Sequence, residues 1–480
     1  QPVLLVGNPA SWIDVLRRLE NSPGGSHLRV LGLIEVNEKE HGRAVRGVPI
    51  MGSLKELGEV IDVLALRYGS APWVAVTGPA REREAMNQVL EIASGHGAYI
   101  MALGHDEAAQ ILEPVRPADL LARPERQLDL TPVHQLFAGT RVLVTGGGGS
   151  IGSELARQVA RQSPAALTIL DSSELNLYQI DLELRDAHAD LALTCQLGDV
   201  RDTARLTSVF AEARPEIVIH AAALKHVPLM EDNVCEAILT NVGGAVATAR
   251  AAAASGARRF VFISSDKAVA PDNVMGATKR LAELAIGRIV TEAGMAGAMV
   301  RFGNVLGSSG SVVPLFERQI AMGGPVTITD PDATRYFMTI EEATGLVLQA
   351  AALQGESRQA DLFVLDMGEP VAIQQLAETM IRLKGKIPGS DIEIKVTGMR
   401  PGEKKHEVLI YWHETIEPTQ ITGVNRVTSE ELAGELLEKK VSALIEAARR
   451  HDTAEALRLL GVLVPEFNTA REPSDHRQPA

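Results

Sequence analysis

Arg141-Val142-Leu143-Val144-Thr145-Gly146-Gly147-Gly148-Gly149-Ser150-Ile151-Gly152-Ser153-Glu154-Leu155 is the stretch on which the reading of this chain turns. Its apolar run, rich in β-branched residues, predicts a buried strand. The glycines predict a tight turn, and Leu155 with Val159 one face of a helix. Glycine suits such a turn because the backbone angles are unusual, and because a side chain would hold the backbone away from a pyrophosphate at the helix N-terminus. Gly146, Gly149 and Gly152 are spaced G-x-x-G-x-x-G, a variant of the dinucleotide-fold pattern that carries little weight alone. Context adds the weight. A second strand, Leu167-Thr168-Ile169-Leu170, ends in Asp171, about 20 residues past the turn, where an acid would hold the adenine ribose diol and repel a 2′-phosphate. The predicted cofactor is NAD rather than NADP.

The 480 residues are enough for two or three domains, and 22% charged with 45% apolar residues is ordinary for a globular chain. A net charge of −14 argues against nucleic acid or an anionic membrane surface as the main partner. Cys195 and Cys235 are the only cysteines, with neither zinc-site spacing nor a disulfide framework, so no metal is predicted. No run of about 18 uncharged apolar residues occurs, and no signal-peptide pattern opens the chain. The first residue is Gln1, which reads as a soluble fragment whose upstream membrane segment would be missing.

The chain opens on Val3-Leu4-Leu5-Val6-Gly7 and an amphipathic helix with Ile13, Leu16 and Leu19, followed by a strand at Arg29–Ile34. The alternation predicts a Rossmann-like α/β domain over 1–113. Its first turn, Gly7-Asn8-Pro9-Ala10-Ser11, has one glycine and a proline, a poor phosphate cradle. Residues 114–138, with Pro114, Pro117, Pro124 and Pro132, read as a linker. The pattern restarts as an NAD-binding Rossmann domain over 139–300, with a helix whose apolar positions include Leu175, Leu177, Ile180 and Leu184. Asp199 and Val200 end the third strand, where Asp199 meets adenine or serves as a turn aspartate. Ala221 and Ala222 follow the fourth, leaving room for a flat cofactor. A substrate lobe is expected over 301–425, helices over 426–468 and a frayed tail over 469–480.

Ser264-Ser265-Asp266-Lys267 follows the strand Phe260–Ile263, where such sheets place their chemistry. In Met275-Gly276-Ala277-Thr278-Lys279 a Met stands four residues before a Lys, where short-chain dehydrogenase folds carry a Tyr whose pKa the Lys lowers. A thioether has no proton to exchange, so alcohol oxidation by that Tyr is excluded, while Lys279 is left to hold the nicotinamide ribose.

Over residues 138 to about 412 the chain resembles the nucleoside-diphosphate-sugar 4,6-dehydratases of the extended short-chain dehydrogenase superfamily. The likeness is to their large polysaccharide-biosynthesis branch acting on UDP-N-acetylglucosamine. The stretches that carry the resemblance are Thr145–Glu154, Ala221–Pro228, Ser264–Val269, Met275–Lys279, Arg301–Ser308, Thr334–Thr339 and Arg400–Lys404. It implies an α/β fold of two Rossmann-like domains, the second an extended short-chain dehydrogenase fold with a C-terminal substrate lobe. It also implies oxidation at C4, loss of water across C5 and C6, and return of hydride to C6 by the same cofactor.

On this resemblance Gly146, Gly149, Ser150, Ile151, Gly152, Asp171, Asp199, Val200, Ala221, Ala222 and Lys279 hold NAD. Asp266 is the acid for the 6-hydroxyl and Lys267 the base at C5, which requires the Asp pKa raised and the Lys pKa lowered. Ser265, or Ser264, bonds the 4-hydroxyl, and its deprotonation is left to Lys279 through Ser265, to Asp266 or to Lys267. Met275 completes the catalytic set. Lys225, His226 and Asn304 line the sugar nucleotide, Arg335, Arg400 and Lys404 bind the diphosphate, and Asn241 is structural. The resemblance further implies a UDP-sugar partner, a homo-oligomer, a full-length protein anchored at the cytoplasmic face of the inner membrane, and retention at C5. An epimerase or reductase on the same fold, and a non-catalytic nucleotide-binding regulator, are the competing readings.

Overall fold

The computed structural model describes residues 1–21, 27–36, 43–103, 112–115, 129–353, 360–428 and 436–469. These fall into two compact units. The first comprises Gln1–Pro124, Ser311–Ala333 and Val371–Gly398, the second Glu125–Gly310, Thr334–Pro370 and Met399–Ala480.

In the first unit β1 (Pro2–Gly7), β2 (Arg29–Glu35), β3 (Ala44–Val45), β4 (Val48–Ser53), β5 (Trp73–Val76), β6 (Ile100–Leu103) and β7 (Leu112–Pro114) form one sheet in the order β3-β4-β2-β1-β5-β6-β7. Pairing is parallel from β4 to β6 and antiparallel at the edge strands β3 and β7. Successive strand residues point to opposite faces. Val3 and Leu5 accordingly join the cluster around Trp12, while Leu4 and Val6 join the one around Ile61 and Val89.

The second unit holds β8 (Arg141–Thr145), β9 (Ala166–Asp171), β10 (Leu193–Leu197), β11 (Ile217–His220), β12 (Arg259–Ile263) and β13 (Ala296–Arg301). They run in the order β10-β9-β8-β11-β12-β13, then Ala360–Leu365, Val424–Thr428 and Thr415–Pro418. The first seven are parallel, the last two antiparallel. This is the doubly wound order, and its switch point lies between the C-terminal ends of β8 and β11. Both faces are covered: Val142 and Val144 belong to one apolar cluster and Leu143 to another.

Several expectations need correction. The linker is shorter than 114–138, because Thr131–Phe137 is a helix whose Val133 and Phe137 are buried in the second unit's core. Pro132 sits in that helix's first turn, where a missing N–H costs nothing. Pro117 and Pro124 lie outside the described residues. The stretch 301–425 is no single lobe, since 311–333 and 371–398 belong to the first unit, where Leu383 packs on its core. The remainder contributes strands to the second sheet, and the C-terminal helices begin after one of them, at Leu436. Leu175 is 65% exposed, because the buried stripe of its helix runs through Leu177, Ile180 and Leu184. The tail from 470 is outside the described residues. Among the described residues no helix is long and apolar enough to cross a membrane.

Candidate active site

The turn after β8 leads into the helix Ser150–Ala160. Gly146 has φ +67, and a Cβ there would lie 2.5 Å from the Ala222 nitrogen, so it must be glycine for the turn and for the closeness of the strand β11 exit. Gly152 cannot carry a Cβ without striking the Gly146 carbonyl. Gly149, at the helix N-cap, differs. Nothing but the Gly146 carbonyl, at 3.3 Å, is near its missing Cβ. The side of the turn where that Cβ would stand is therefore unobstructed, beside the helix's first N–H groups, which suits a pyrophosphate.

Asp171, at the tip of β9, accepts hydrogen bonds from the Gly148 and Ser173 amides, each at 2.8 Å. A carboxylate has about four acceptor sites, so a ribose diol can still be held. Ser150 Oγ accepts from the Ser309 amide at 3.2 Å, and Ile151 packs against the core. Asp199 takes the turn role: Arg201 grips it through its side chain at 2.6 Å and its amide at 2.8 Å. Burial pulls the Asp199 carboxyl upward, but Arg201 outweighs it and holds it below the usual range. Val200 is buried against the Gly244 backbone.

The chemistry-bearing groups gather at the end of β12. Ser264 points inward and donates to Glu283 at 2.6 Å. Ser265 remains partly exposed, donates to Asp266 Oδ1 at 2.9 Å and accepts from the Lys267 amide. Asp266 is fully buried, and its Oδ2 has no hydrogen-bond partner among the described residues. Lys267 Nζ lies 3.0 Å from Asp266 Oδ1, 3.4 Å from Glu407 Oε1 and 3.4 Å from Asn304 Oδ1.

A lowered Lys267 pKa is not what this environment produces. Burial pushes it down, but Asp266 and Glu407 together outweigh that and raise it above the ordinary lysine value. The resting group is an ammonium. Lys279 is the amine that shifts the other way: burial lowers it to about 8. Its Nζ donates to the Ile263 carbonyl at 2.7 Å and sits 4.6 Å from the Phe262 ring centre. Met275 is 2% exposed and belongs to an apolar cluster with Met230, Leu281 and Leu460, so it offers packing and no proton chemistry.

Asn241 accepts from the Leu224 amide at 2.8 Å and donates to its carbonyl at 2.9 Å, which makes it a strut for the loop after β11. Lys225 and His226 are exposed on that loop. Partial desolvation, and then Lys267, lowers the Lys225 pKa; partial desolvation and Lys225 lower that of His226.

The three cations assigned to the diphosphate are not equivalent. Arg335 donates to the carbonyls of Thr334, Lys404 and Lys405. Lys404 Nζ donates to those of Val269 and Ala270, the latter at φ +41. Irregular loops leave carbonyls that need donors, and these two side chains supply them. Arg400 is exposed, and among the described residues these loops engage its amide but not its guanidinium. Asn304 faces Lys267 rather than standing free in its loop.

Two features escape a sequence reading. Glu407, 6% exposed, completes the Lys267 site from a loop well past it in the chain. Behind Ser264, buried Glu283 pairs with Arg301 at 2.7 Å, and Arg301 with Glu414 at 2.8 Å. Burial alone would raise the Glu283 carboxyl, yet Arg301 keeps it low. Among the described residues no group of His, Cys, Asp and Glu could hold a metal ion.

The family model described as polysaccharide biosynthesis protein matches residues 142–429. A capsular polysaccharide biosynthesis protein of Staphylococcus aureus is 38% identical over 87% of this chain and 70% of its own length. A UDP-glucose 4-epimerase of Rickettsia akari is 33% identical over 61% of this chain and 84% of its own. A UDP-N-acetylglucosamine 4,6-dehydratase (inverting) of Campylobacter jejuni is 32% identical over 57% of this chain and 78% of its own.

Proposed function

Because the chain belongs to the polysaccharide biosynthesis protein family, we propose that it dehydrates UDP-N-acetylglucosamine to a UDP-4-keto-6-deoxy-hexosamine with bound NAD. The observation that carries this is the pair of buried Asp266 and partly exposed Lys267, with Asp266 Oδ2 unpartnered among the described residues, since elimination needs a proton donor and a proton acceptor side by side. Gly146–Gly152 and Asp171 would hold NAD, which when bound would supply a hydride acceptor at C4 and a hydride donor at C6.

The residues do the rest. Ser265 rather than Ser264 bonds the 4-hydroxyl, because Ser264 is engaged by Glu283. Lys279 is favoured as the sink for the 4-hydroxyl proton, since an amine with a pKa of about 8 is available neutral near physiological pH. In the elimination the roles follow the charges: the Asp266 carboxylate accepts the C5 proton, and the Lys267 ammonium gives its proton to O6 as the C6–O bond breaks and water leaves. The C5 proton is restored after C6 is reduced. Arg400 is the cation left for the diphosphate.

The test is one incubation of purified protein with UDP-N-acetylglucosamine, read by mass spectrometry. Loss of one water supports the proposal. The epimerase reading predicts a product of unchanged mass, and a regulator leaves the substrate as it was. Coupling constants at C5 of the product then give its configuration.

A further inference from the structure

Lys267 has carboxylates on two sides, and only one of them is its chain neighbour. The charged groups that face it are Asp266 and Glu407, with Arg335 and Lys225 as the nearby cations. Glu407 reaches it from the loop that Arg335 anchors through the Lys404 and Lys405 carbonyls. The Arg335 Nε is itself 3.8 Å from Glu407 Oε1, and Oε2 has no hydrogen-bond partner among the described residues. A carboxylate buried this way is unfavourable unless it has a charge to face, and the charge it faces most closely is Lys267 at 3.4 Å.

With Asp266 as sole partner, Lys267 would lose its counter-charge as soon as Asp266 took up a proton. A second fixed carboxylate removes that dependence. We propose that Glu407 is a positioning residue that keeps Lys267 a proton donor throughout the elimination. When Asp266 takes the C5 proton it becomes neutral and stops serving as counter-charge. Glu407 then remains beside the ammonium until O6 is protonated, the C6–O bond breaks and water departs, leaving Lys267 neutral to be recharged from solvent. The role rests on the dehydratase reading, while the Glu407–Lys267 pairing does not.

Glu407→Gln and Glu407→Asp test it in the full chain. Competitive acetylation with acetic anhydride across pH, read by mass spectrometry on the Lys267 peptide, reports its titration without any turnover. The Gln variant is expected to titrate at least one pH unit lower than the parent, and the Asp variant between them. In turnover the Gln variant is expected to be about a hundredfold slower at neutral pH, with its alkaline limb moved to lower pH by the same amount, and the Asp variant to recover part of both. A merely structural role would lower melting temperature and substrate binding without moving that limb. An unchanged Lys267 titration in the Gln variant overturns the pairing; a shifted titration with parental turnover and limb overturns the role. Parent protein that releases no water from UDP-N-acetylglucosamine sinks the dehydratase reading, and with it the role, while the acetylation result still reports the pairing.

Discussion

The chain contains the same strand–turn–helix device twice, and only one copy is open. At the first turn Ser11 Oγ meets Thr77 Oγ1 at 3.0 Å, the Ser11 amide donates to Asn8 Oδ1, and a Cβ on Gly7 would lie 2.7 Å from Ser11 Oγ. The helix start is thus closed by the unit's own side chains. At the second turn Gly149 faces nothing nearer than the Gly146 carbonyl. Both second strands end in an acid, Glu35 buried and Asp171 partly exposed. Topology alone therefore does not make a nucleotide site. What differs between the two copies is that Asn8, Ser11 and Thr77 side chains already fill the start of the first helix.

The largest expected effect is chemical. Replacing Asp266 by Asn and Lys267 by Ala together should lower turnover by about a thousandfold or more, measured as water loss by mass spectrometry, with NAD still bound. Parental turnover in that double variant would end the mechanism. Next comes the comparison of the two turns. Gly149→Val should weaken NAD binding by about tenfold or more in a calorimetric titration, whereas Ser11→Ala should leave it unchanged and one NAD per chain should be found. Two NAD per chain, or loss on Ser11→Ala, would break the contrast.

Buried charge supplies a stability test. Glu414→Gln leaves Arg301 with one carboxylate in a dry site and should cost about 3 kcal/mol in urea denaturation. Ser11→Ala, which removes the partly buried hydroxyl that accepts from the Asn8 amide, should cost about 1 kcal/mol. The smallest effect concerns pH. Lys279 has a folded pKa of about 8, below its ordinary 10.5. Between those values the unfolded chain holds a proton that the folded one has released, so this group makes stability rise with pH across that window. Lys279→Met should remove that rise in melting temperature, and turnover of the parent should increase as pH climbs through about 8.

Much of the second unit was legible from local pattern. The β8 turn, Asp171, the β12 tip and the structural role of Asn241 all stand where periodicity, turn chemistry and resemblance put them, because each depends on residues close in the chain. What local pattern leaves out has a common cause. Arg335 and Lys404 carry the charge a diphosphate needs, and part of their donor capacity also goes to carbonyls of loops that only the fold brings near. Met275 looks like a substituted catalytic position, and its burial among the helices of the second unit is a packing fact. The strands between 360 and 428 lack the regular βα rhythm of the earlier chain, so they read as a loose lobe.

From its residues alone this chain determined an alternating α/β architecture, a glycine turn poised for a pyrophosphate, and an acid beside an amine at one strand tip. Those properties follow from backbone conformation and neighbouring side chains. The tertiary structure decided which protons are held where. Asp266 and Glu407 together keep Lys267 charged, Glu283 draws Ser264 inward, and dry surroundings lower Lys279. The reason is that a charge's pKa is set by desolvation and by partners within a few ångströms, and here those partners come from distant parts of the sequence.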